Sequence, residues 1–263
     1  MVLSAACASA SRDIEVPNGS STPLTDYAKI WDAASTSCRN VQSMELMVVF
    51  GGHVGETRLR RTRTRTAITR PGSLRLEGLA PFGAPVFVFV ARPGEATLVL
   101  PRERQVVRGA AARDLLFALA GLALEPNDVH ALLTGCVVPE GGVAVAARAY
   151  GNRWVAVDLE GGATAYLRQS DGNSVITIGT RDDVIVEYAE HVRGLPRRVR
   201  IKAGTAPART ELLVNLSRVN INTTLDPAAF VVSVPDTFAA ITLDELRRTS
   251  PIADRTATTD VDR

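Results

Sequence analysis

Most of the chain alternates apolar and polar residues with the two-residue period of β-strands, but residues 110–135 follow the spacing of helices instead. Within them, residues 115–124 carry no charge, and large apolar side chains recur at i, i+1, i+4 and i+7. This spacing is typical of a helix with a broad apolar face, and such a face must be covered by another part of the protein. The face consists of Leu115, Leu116, Leu119 and Leu122, with Phe117 beside them.

A second short helix is predicted directly after the first. Glu125 and Pro126 begin a turn signal, and Asn127 or Asp128 is placed to cap a helix over residues 128–134. The two helices stand between two blocks of predicted strands. This order indicates a plug or lid for whatever the strands enclose.

The strand blocks consist of short runs joined by tight turns, about eleven strands in all. Residues 86–91 are apolar on both faces, which predicts a strand that is covered on both sides. After the helices, two-residue turns such as Gly161-Gly162 predict antiparallel hairpins in succession. Residues 225–235 are predicted to form a closing strand.

A further helix is predicted before the first strand block, over residues 23–37. Thr25 is placed to cap it, and Trp31 lies on its apolar face. Trp31 is interpreted as a core anchor, with a binding role as the alternative. Near the other end of the chain, residues 241–248 predict one more helical turn.

One predicted strand has polar residues on both of its faces. Arg61, Arg63 and Arg65 fall on one face, and three threonines fall on the other. A strand without an apolar face is typical of a sheet edge, where charge discourages unwanted pairing, and we expect an edge here. The alternative is a row of guanidinium groups for phosphate headgroups. The threonines are Thr62, Thr64 and Thr66.

The number of strands bears on what the interior holds. A closed barrel of about eight strands is near the largest that side chains alone fill, so about ten or eleven strands around one axis leave space inside. Apolar helix residues would occupy this space, and a hydrophobic ligand would replace them when they move aside. The alternative is a solid core. The predicted acyl-chain cavity comprises Leu74, Leu76, Phe87 and Phe89 from the strands, and Leu115, Leu116, Phe117, Leu119, Leu122 and Leu132 from the helices.

Composition and motifs argue against several classes of function. The 30 Lys and Arg against 28 Asp and Glu leave a net charge of +2, so no overall field favours nucleic acid or an anionic membrane. No stretch reaches the roughly 18 apolar residues of a membrane-spanning helix. Hydrolase, zinc-protease and nucleotide motifs are absent, and His53, His130 and His191 have no ligand spacing. We expect no catalysis, no metal site, no cofactor and no nucleic-acid partner.

The first residues resemble the end of a bacterial lipoprotein signal. Small residues precede Cys7, and Leu3 stands one position earlier than the leucine of such a signal. We expect Cys7 to be acylated and a basic and then apolar segment to be encoded upstream of Met1. The alternative is an ordinary unstructured N-terminus. Residues 8–22 are small, polar and turn-forming, so residues 1–22 are interpreted as a signal remnant and flexible tether.

Acylation of Cys7 would leave two other cysteines in a compartment that permits disulfides. Cys38 ends the first predicted helix, and Cys136 follows the second lid helix. A disulfide between them would tie the two helical regions together. The alternative is two separate buried thiols, since free cysteine packs like a small apolar residue.

Four stretches together resemble the bacterial lipoprotein-localisation proteins LolA and LolB, and LolB more closely. The first has Phe82 where the family has a turn leucine, and the second has Leu132 where it has a tryptophan. In the second stretch, Asp114, Leu115, Gly121, Val129, Leu133 and Gly135 match. The four stretches are residues 74–90, 114–135, 184–202 and 225–235, and similarity in pattern extends over about residues 24–245.

The resemblance implies a mainly β protein, an unclosed antiparallel β-barrel with a helical lid over a hydrophobic cavity. We expect residues 23–248 to form this domain and residues 249–263 to be a disordered tail. The resemblance also implies anchoring to the periplasmic face of the outer membrane through the N-terminal lipid only, and binding of lipoprotein acyl chains or a related lipid. We expect a monomer, with a periplasmic carrier protein as a candidate partner. The alternative hypothesis is a scaffold lipoprotein that binds a protein partner through its sheet.

Overall fold

The computed structural model describes residues 13–82, 84–137, 142–170, 173–249 and 251–254, and its main feature is one large β-sheet. Short strands such as β1 raise their number to fifteen, above the eleven or so expected from the sequence. The strands are β1 (Thr22–Leu24), β2 (Ser43–Val54), β3 (Thr57–Thr69), β4 (Ser73–Leu79), β5 (Phe87–Arg92), β6 (Glu95–Leu100), β7 (Gln105–Arg108), β8 (Ala144–Tyr150), β9 (Trp154–Leu159), β10 (Thr164–Ser170), β11 (Asn173–Arg181), β12 (Val184–Ala189), β13 (Arg198–Ala203), β14 (Thr210–Ile221) and β15 (Ala239–Ala240).

The pairing of the strands joins two blocks of the chain in one unclosed wall. Neighbours follow the order β1-β8-β9-β10-β11-β12-β13-β14-β2-β3-β4-β5-β6-β7-β15. The long pair β2 and β14 joins the block before the central helices to the block after them. All described pairs are antiparallel except β15 with β7. The predicted fold class, an unclosed antiparallel β-barrel with helices, is confirmed.

The helices lie against this wall. α1 packs against β8 and β11, α2 against β6 and α4, and α3 against β3 and β4. Trp31 of α1 is buried in the main core, and its Nε1 donates a hydrogen bond to the carbonyl of Gly142 at 2.8 Å. The helices are α1 (Tyr27–Arg39), α2 (Ala112–Ala120), α3 (Pro126–Thr134) and α4 (Leu243–Thr249), with a 3-10 helix at Pro227–Phe230.

Strand β5 shows how the two faces of the wall differ. Phe87 and Phe89 point to the inner face and join the main core with the central helices. Val88 and Val90 point to the outer face, where Phe230 of the 3-10 helix packs on them. The prediction that this strand is covered on both sides is therefore confirmed.

The strand with alternating arginines lies in the middle of the sheet, between β2 and β4, so the prediction of an edge is wrong. Its threonines Thr62, Thr64 and Thr66 face inward and are buried. Thr64 Oγ1 donates to the Val48 carbonyl at 3.3 Å and lies 3.3 Å from Thr66 Oγ1, and Thr62 Oγ1 donates to the carbonyl of Arg60 at 3.0 Å. Because every hydroxyl finds a partner within the sheet, a row of threonines takes the place of an apolar face.

The second lid helix begins earlier than predicted because its cap lies further upstream. Glu125 is the N-cap, Pro126 occupies the first helical position, and Asp128 is the third residue of the helix. The Asp128 carboxylate accepts a hydrogen bond from the Glu125 backbone N–H at 2.9 Å, and the Glu125 side chain accepts one in return. This capping box satisfies backbone donors that a start at residue 128 would leave open.

Two other predicted elements have different positions. The first helix begins at Tyr27, because Pro23 belongs to β1 and pairs with Arg148 of β8. Residues 225–235 form the 3-10 helix and an irregular segment, and not a closing strand. The Asp226 carboxylate accepts the backbone N–H of Ala228 at 2.8 Å, which starts a helical turn there.

Both ends of the described chain form contacts with the β-sheet. Asp13 forms an ion pair with the buried Lys202 at 2.7 Å. At the other end, the carbonyl of Ile252 accepts the backbone N–H of Arg60 at 2.8 Å. Residues 13–16 and 251–254 are therefore parts of the folded body, although the sequence predicted a tether and a tail there. Cys7 and residues 255–263 lie outside the described residues.

Candidate functional site

An apolar pocket of about 100 Å³ lies between the central helices and the inner face of the wall. Sixteen residues line it, and Thr64 is the polar one among them. The Thr64 hydroxyl is bonded within the sheet, so the pocket offers a ligand little beyond apolar surface. The helical side contributes Leu116, Leu119, Leu122, Val129, Leu132 and Leu133 among others, and the sheet contributes Val48, Phe50, Leu76, Val199, Ile201, Leu212 and Val214.

A larger cleft of about 790 Å³ leads to this pocket from one end of the sheet. Four side chains line both spaces, so the cleft and the pocket meet there, at Leu122, Leu124, Leu132 and Ile201. The mouth of the cleft lies at the β2–β3, β11–β12 and β13–β14 turns and the α2–α3 linker. Pockets that bind small molecules typically measure about 300–1,000 Å³, so the cleft is of sufficient size.

The rim of the cleft is charged although its interior is apolar. Arg113 of α2 and Arg181 at the end of β11 stand there with four carboxylates. An apolar interior behind a polar mouth suits an amphiphile whose chain enters and whose polar end stays near solvent. The carboxylates are those of Glu125, Asp128, Asp182 and Asp183.

Gly121 holds the linker between α2 and α3 against the mouth of the wall. It ends α2 in the left-handed conformation, with φ of 71°, and its carbonyl accepts a hydrogen bond from Thr210 Oγ1 at 3.1 Å. A Cβ atom at this position would lie 2.5 Å from a methyl group of Val54. Only glycine therefore allows this close approach of the lid to the sheet.

The far end of the lid is fixed more firmly than its mouth end. A disulfide joins Cys136, directly after α3, to Cys38 near the end of α1. The Tyr188 hydroxyl donates to the Cys136 carbonyl at 3.0 Å, and burial raises the pKa of Tyr188. Both anchors act on the same end of α3, so motion of the lid is expected to be largest at Gly121.

The structure brings only part of the predicted cavity residues to the cavity. Leu76, Leu116, Leu119, Leu122 and Leu132 line the pocket. Phe117 lines the outer cleft, where it is 47% exposed and has the Arg247 guanidinium 5.9 Å from its ring centre. The other four predicted residues, Leu74, Phe87, Phe89 and Leu115, are fully buried in the main core and line neither space.

The position of Phe87 explains why the inner face of β5 borders no space. Its ring fills the space over Gly78, where a Cβ atom would lie only 2.4 Å from a ring carbon. The inner face of this part of the wall is also covered by α2, which packs against β6. The sequence pattern identified these residues as inward-facing but did not show where the helices touch the sheet.

The sequence analysis missed the part of the pocket wall that β13 and β14 supply. Val199 and Ile201 of β13 and Leu212 and Val214 of β14 face the pocket. The alternation of these strands contains the necessary information, because Lys202 and its partner Glu211 mark the other face.

Burial of His130 in the lid predicts a pH-dependent stability. Burial, and secondarily the charge of Arg70, lower the pKa of His130 to about 4 from 6.5, against a hydrogen bond to the Val41 backbone. Between these values the unfolded chain binds a proton that the folded protein does not, so stability falls as the pH falls from 6.5 towards 4. At pH of about 5 this difference corresponds to a loss of about 2 kcal/mol.

The measurement is urea unfolding of the wild type and of His130→Gln at neutral and acidic pH. The variant should lose about 2 kcal/mol less than the wild type on acidification. Because burial also lowers the pKa of His191, the slopes of the two proteins are compared with each other. Equal slopes would contradict the assignment to His130.

No helix of the described residues is long and apolar enough to cross a membrane. The arrangement is that of an open antiparallel half-barrel whose inner face is closed by a helical lid over an apolar pocket. Its chemistry is that of a site for an apolar or amphiphilic ligand.

Comparison with solved structures finds similar chains, whereas no protein-family model and no curated protein matches the chain. A LolA superfamily protein from Nitrosomonas europaea superposes with a TM-score of 0.51 and 8% identity, over 76% of this chain and 95% of that one. A putative outer-membrane lipoprotein-sorting protein domain from Vibrio parahaemolyticus has a TM-score of 0.47 and 10% identity, over 77% and 95%. For the lipoprotein LppX of Mycobacterium tuberculosis the values are 0.33, 10%, 76% and 98%. The first of these superpositions confirms a LolA-like fold.

Proposed function

We propose that this chain is a lipid-anchored carrier or receptor on the periplasmic face of the outer membrane. It holds the acyl chains of lipoproteins, or a related lipid, beneath α2 and α3, and it acts as a monomer by binding and not by catalysis. The observation that carries the proposal is the apolar pocket, lined by one polar residue in sixteen, at the end of a cleft of about 790 Å³.

The energy of burying an acyl chain is sufficient for such a function. Each buried methylene contributes about 0.8 kcal/mol, so a chain of about sixteen carbons gains on the order of 10 kcal/mol before the costs of binding. The pocket alone is too small for that chain at about 100 Å³. The acyl chain therefore extends from the cleft into space that the leucines of α2 and α3 vacate, and their apolar side chains close this space again when the ligand leaves.

Three further features support the proposed location and partners. The disulfide between Cys38 and Cys136 suits an oxidising compartment such as the periplasm. The residues around Cys7 resemble a lipoprotein signal, and acylation there would anchor the protein. The LolA-like fold supports the exchange of acyl chains with a periplasmic carrier protein.

The test is binding of a fluorescent fatty acid to the purified protein and to two variants of neighbouring residues. Leu212 faces the pocket and is buried, whereas Leu213 faces outward and is 43% exposed. Leu212→Trp should fill the pocket and weaken binding at least about 10-fold, since an added ring displaces several methylenes of the ligand. Leu213→Trp, the matched control, should bind like the wild type.

Thermal melting of both variants separates loss of the pocket from loss of the fold. A folded Leu212→Trp protein with unchanged binding would place the ligand elsewhere. Absence of binding by the wild type, together with a native mass spectrum free of lipid, would reject the carrier function and leave the scaffold hypothesis.

A further inference from the structure

Two described segments cover the flanks of the outer face of the wall, and no other described segment packs over its middle. Phe230 and its neighbours lie over Val88 and Val90 on one flank. Ile14 and Val16 lie over β9 to β12 on the other. Between them β3, β2 and β14 form what we call the outer strip, defined as the half-buried Val49 and the exposed Arg61, Arg63, Arg65 and Leu213.

The outer strip carries positive charge that the carboxylates of the described residues neutralise only in part. Its three arginines alternate along β3, about 7 Å apart, and all are exposed. Arg65 has Glu77 at 3.9 Å, but this carboxylate also lies 3.6 Å from Arg75. No acidic side chain of the described residues forms an ion pair with Arg61 or Arg63. The net charge of +2 for the whole chain hides this local excess.

The shape and composition of the outer strip fit a flat anionic surface. Arg63 pairs in register with Val49 of β2, and Leu213 follows on β14 opposite Gly51, so guanidinium groups and apolar side chains share one continuous face. Guanidinium groups bind phosphates with two parallel hydrogen bonds, and an exposed leucine adds apolar contact at the interface. A sheet face without a groove presents these groups side by side.

Asp13, the first described residue, lies beside this face. Lys202, which holds Asp13, pairs in register with Glu211 of β14, and Leu213 lies two residues further along that strand. Cys7 precedes Asp13 by six residues, which span at most about 20 Å. The proposed acylation of Cys7 would therefore hold the outer strip close to the membrane surface.

We propose that the outer strip is a docking surface for an anionic phospholipid bilayer, with Arg61, Arg63 and Arg65 facing the lipid phosphates. This contact is additional to the lipid anchor and does not depend on ligand binding by the pocket. It agrees with the alternative interpretation of the sequence, in which these arginines bind phosphate headgroups.

The experiment is co-sedimentation of the full chain, carrying Cys7→Ser so that no anchor contributes, with two kinds of vesicle. One kind is phosphatidylcholine alone, and the other is a three-to-one mixture of phosphatidylcholine and phosphatidylglycerol. We expect binding to the anionic vesicles only. The triple variant Arg61→Gln, Arg63→Gln, Arg65→Gln should bind them roughly 100-fold more weakly, because each arginine near such a surface contributes about 1 kcal/mol.

Two further variants separate the outer strip from general surface charge. Arg108→Gln, Arg153→Gln, Arg168→Gln removes the same charge from exposed positions elsewhere and should bind like the parent. Arg61→Lys, Arg63→Lys, Arg65→Lys keeps the charge and should retain most of the binding, which also shows that the site tolerates substitution. Raising the salt to about 1 M, where the Debye length is about 3 Å, should abolish binding.

Several outcomes would overturn the proposal. They are equal binding to both kinds of vesicle, no binding to either, or an equal loss in the glutamine variants of the outer strip and of the control positions. Thermal melting confirms that each variant is folded. A protein that fails to bind fatty acid but still binds anionic vesicles would refute the proposed carrier function alone.

Discussion

Replacing Cys38 and Cys136 together by alanine is expected to lower the free energy of unfolding by about 4 kcal/mol. The disulfide closes a loop with a sequence separation of 98 residues, and a loop of this length loses much conformational entropy in the unfolded state. Both sulfur atoms are also buried, so their removal leaves small cavities in the core. Urea unfolding monitored by circular dichroism measures the change.

Reduction provides the internal control for this prediction. A reducing agent should shift the urea midpoint of the wild type towards that of the double variant and leave the variant unchanged. The variant should also release a bound fatty acid faster, because α3 then loses its covalent link to α1, and the Tyr188 hydrogen bond remains at that end. Equal midpoints for wild type and variant would show that the lid does not depend on the disulfide.

The periodicities were sufficient for the types of element, and the resemblance to LolA and LolB implied the unclosed barrel with a helical lid. The uncharged residues 115–124 predicted α2, which the structure ends at Ala120, and the two apolar faces of β5 predicted a strand between two layers. The order of the strands could not be obtained in this way. Pairing of β2 with β14 joins residues far apart in the chain, and no local pattern specifies such a contact.

The arginine strand shows how a local rule fails when tertiary structure overrides it. The polar inner face of β3 predicted an edge, but Thr64 and Thr66 satisfy their hydroxyl groups within the sheet. A buried threonine then occupies a core position much as valine would. The alternation predicted correctly on which face of the strand each residue lies. It did not predict that the threonine face is buried.

Part of the candidate site was predictable from the sequence, because helical spacing shows which residues share one face. Helical spacing identified Leu116, Leu119 and Leu122, which line the pocket. It did not separate Leu115, which is fully buried in the main core, from these neighbours. Only the contacts between helices and strands decide which inward-facing residue borders a space.

Gly121 is the point at which the lid meets the mouth of the wall, and Gly121→Ala is expected to destabilise the protein by about 4 kcal/mol. The left-handed conformation at φ of 71° costs a residue with a Cβ atom about 1 kcal/mol. The new methyl group would also lie 2.5 Å from Val54, and overpacking of this kind costs up to about 3 kcal/mol. Urea unfolding measures the sum.

Gly94→Ala is the matched control for this substitution, because Gly94 has φ of 79° but nothing within 4 Å of an added Cβ atom. It should cost only the conformational part, about 1 kcal/mol. The double variant Gly121→Ala, Val54→Ala should recover much of the difference in the free energy of unfolding, since it removes the Val54 methyl groups that clash with the new Cβ atom. If the clash instead lifts the linker, the Thr210 hydrogen bond is lost and fatty acid dissociates faster at little cost in stability. Equal effects of Gly121→Ala and Gly94→Ala on both stability and dissociation would show that the lid does not rest on Val54.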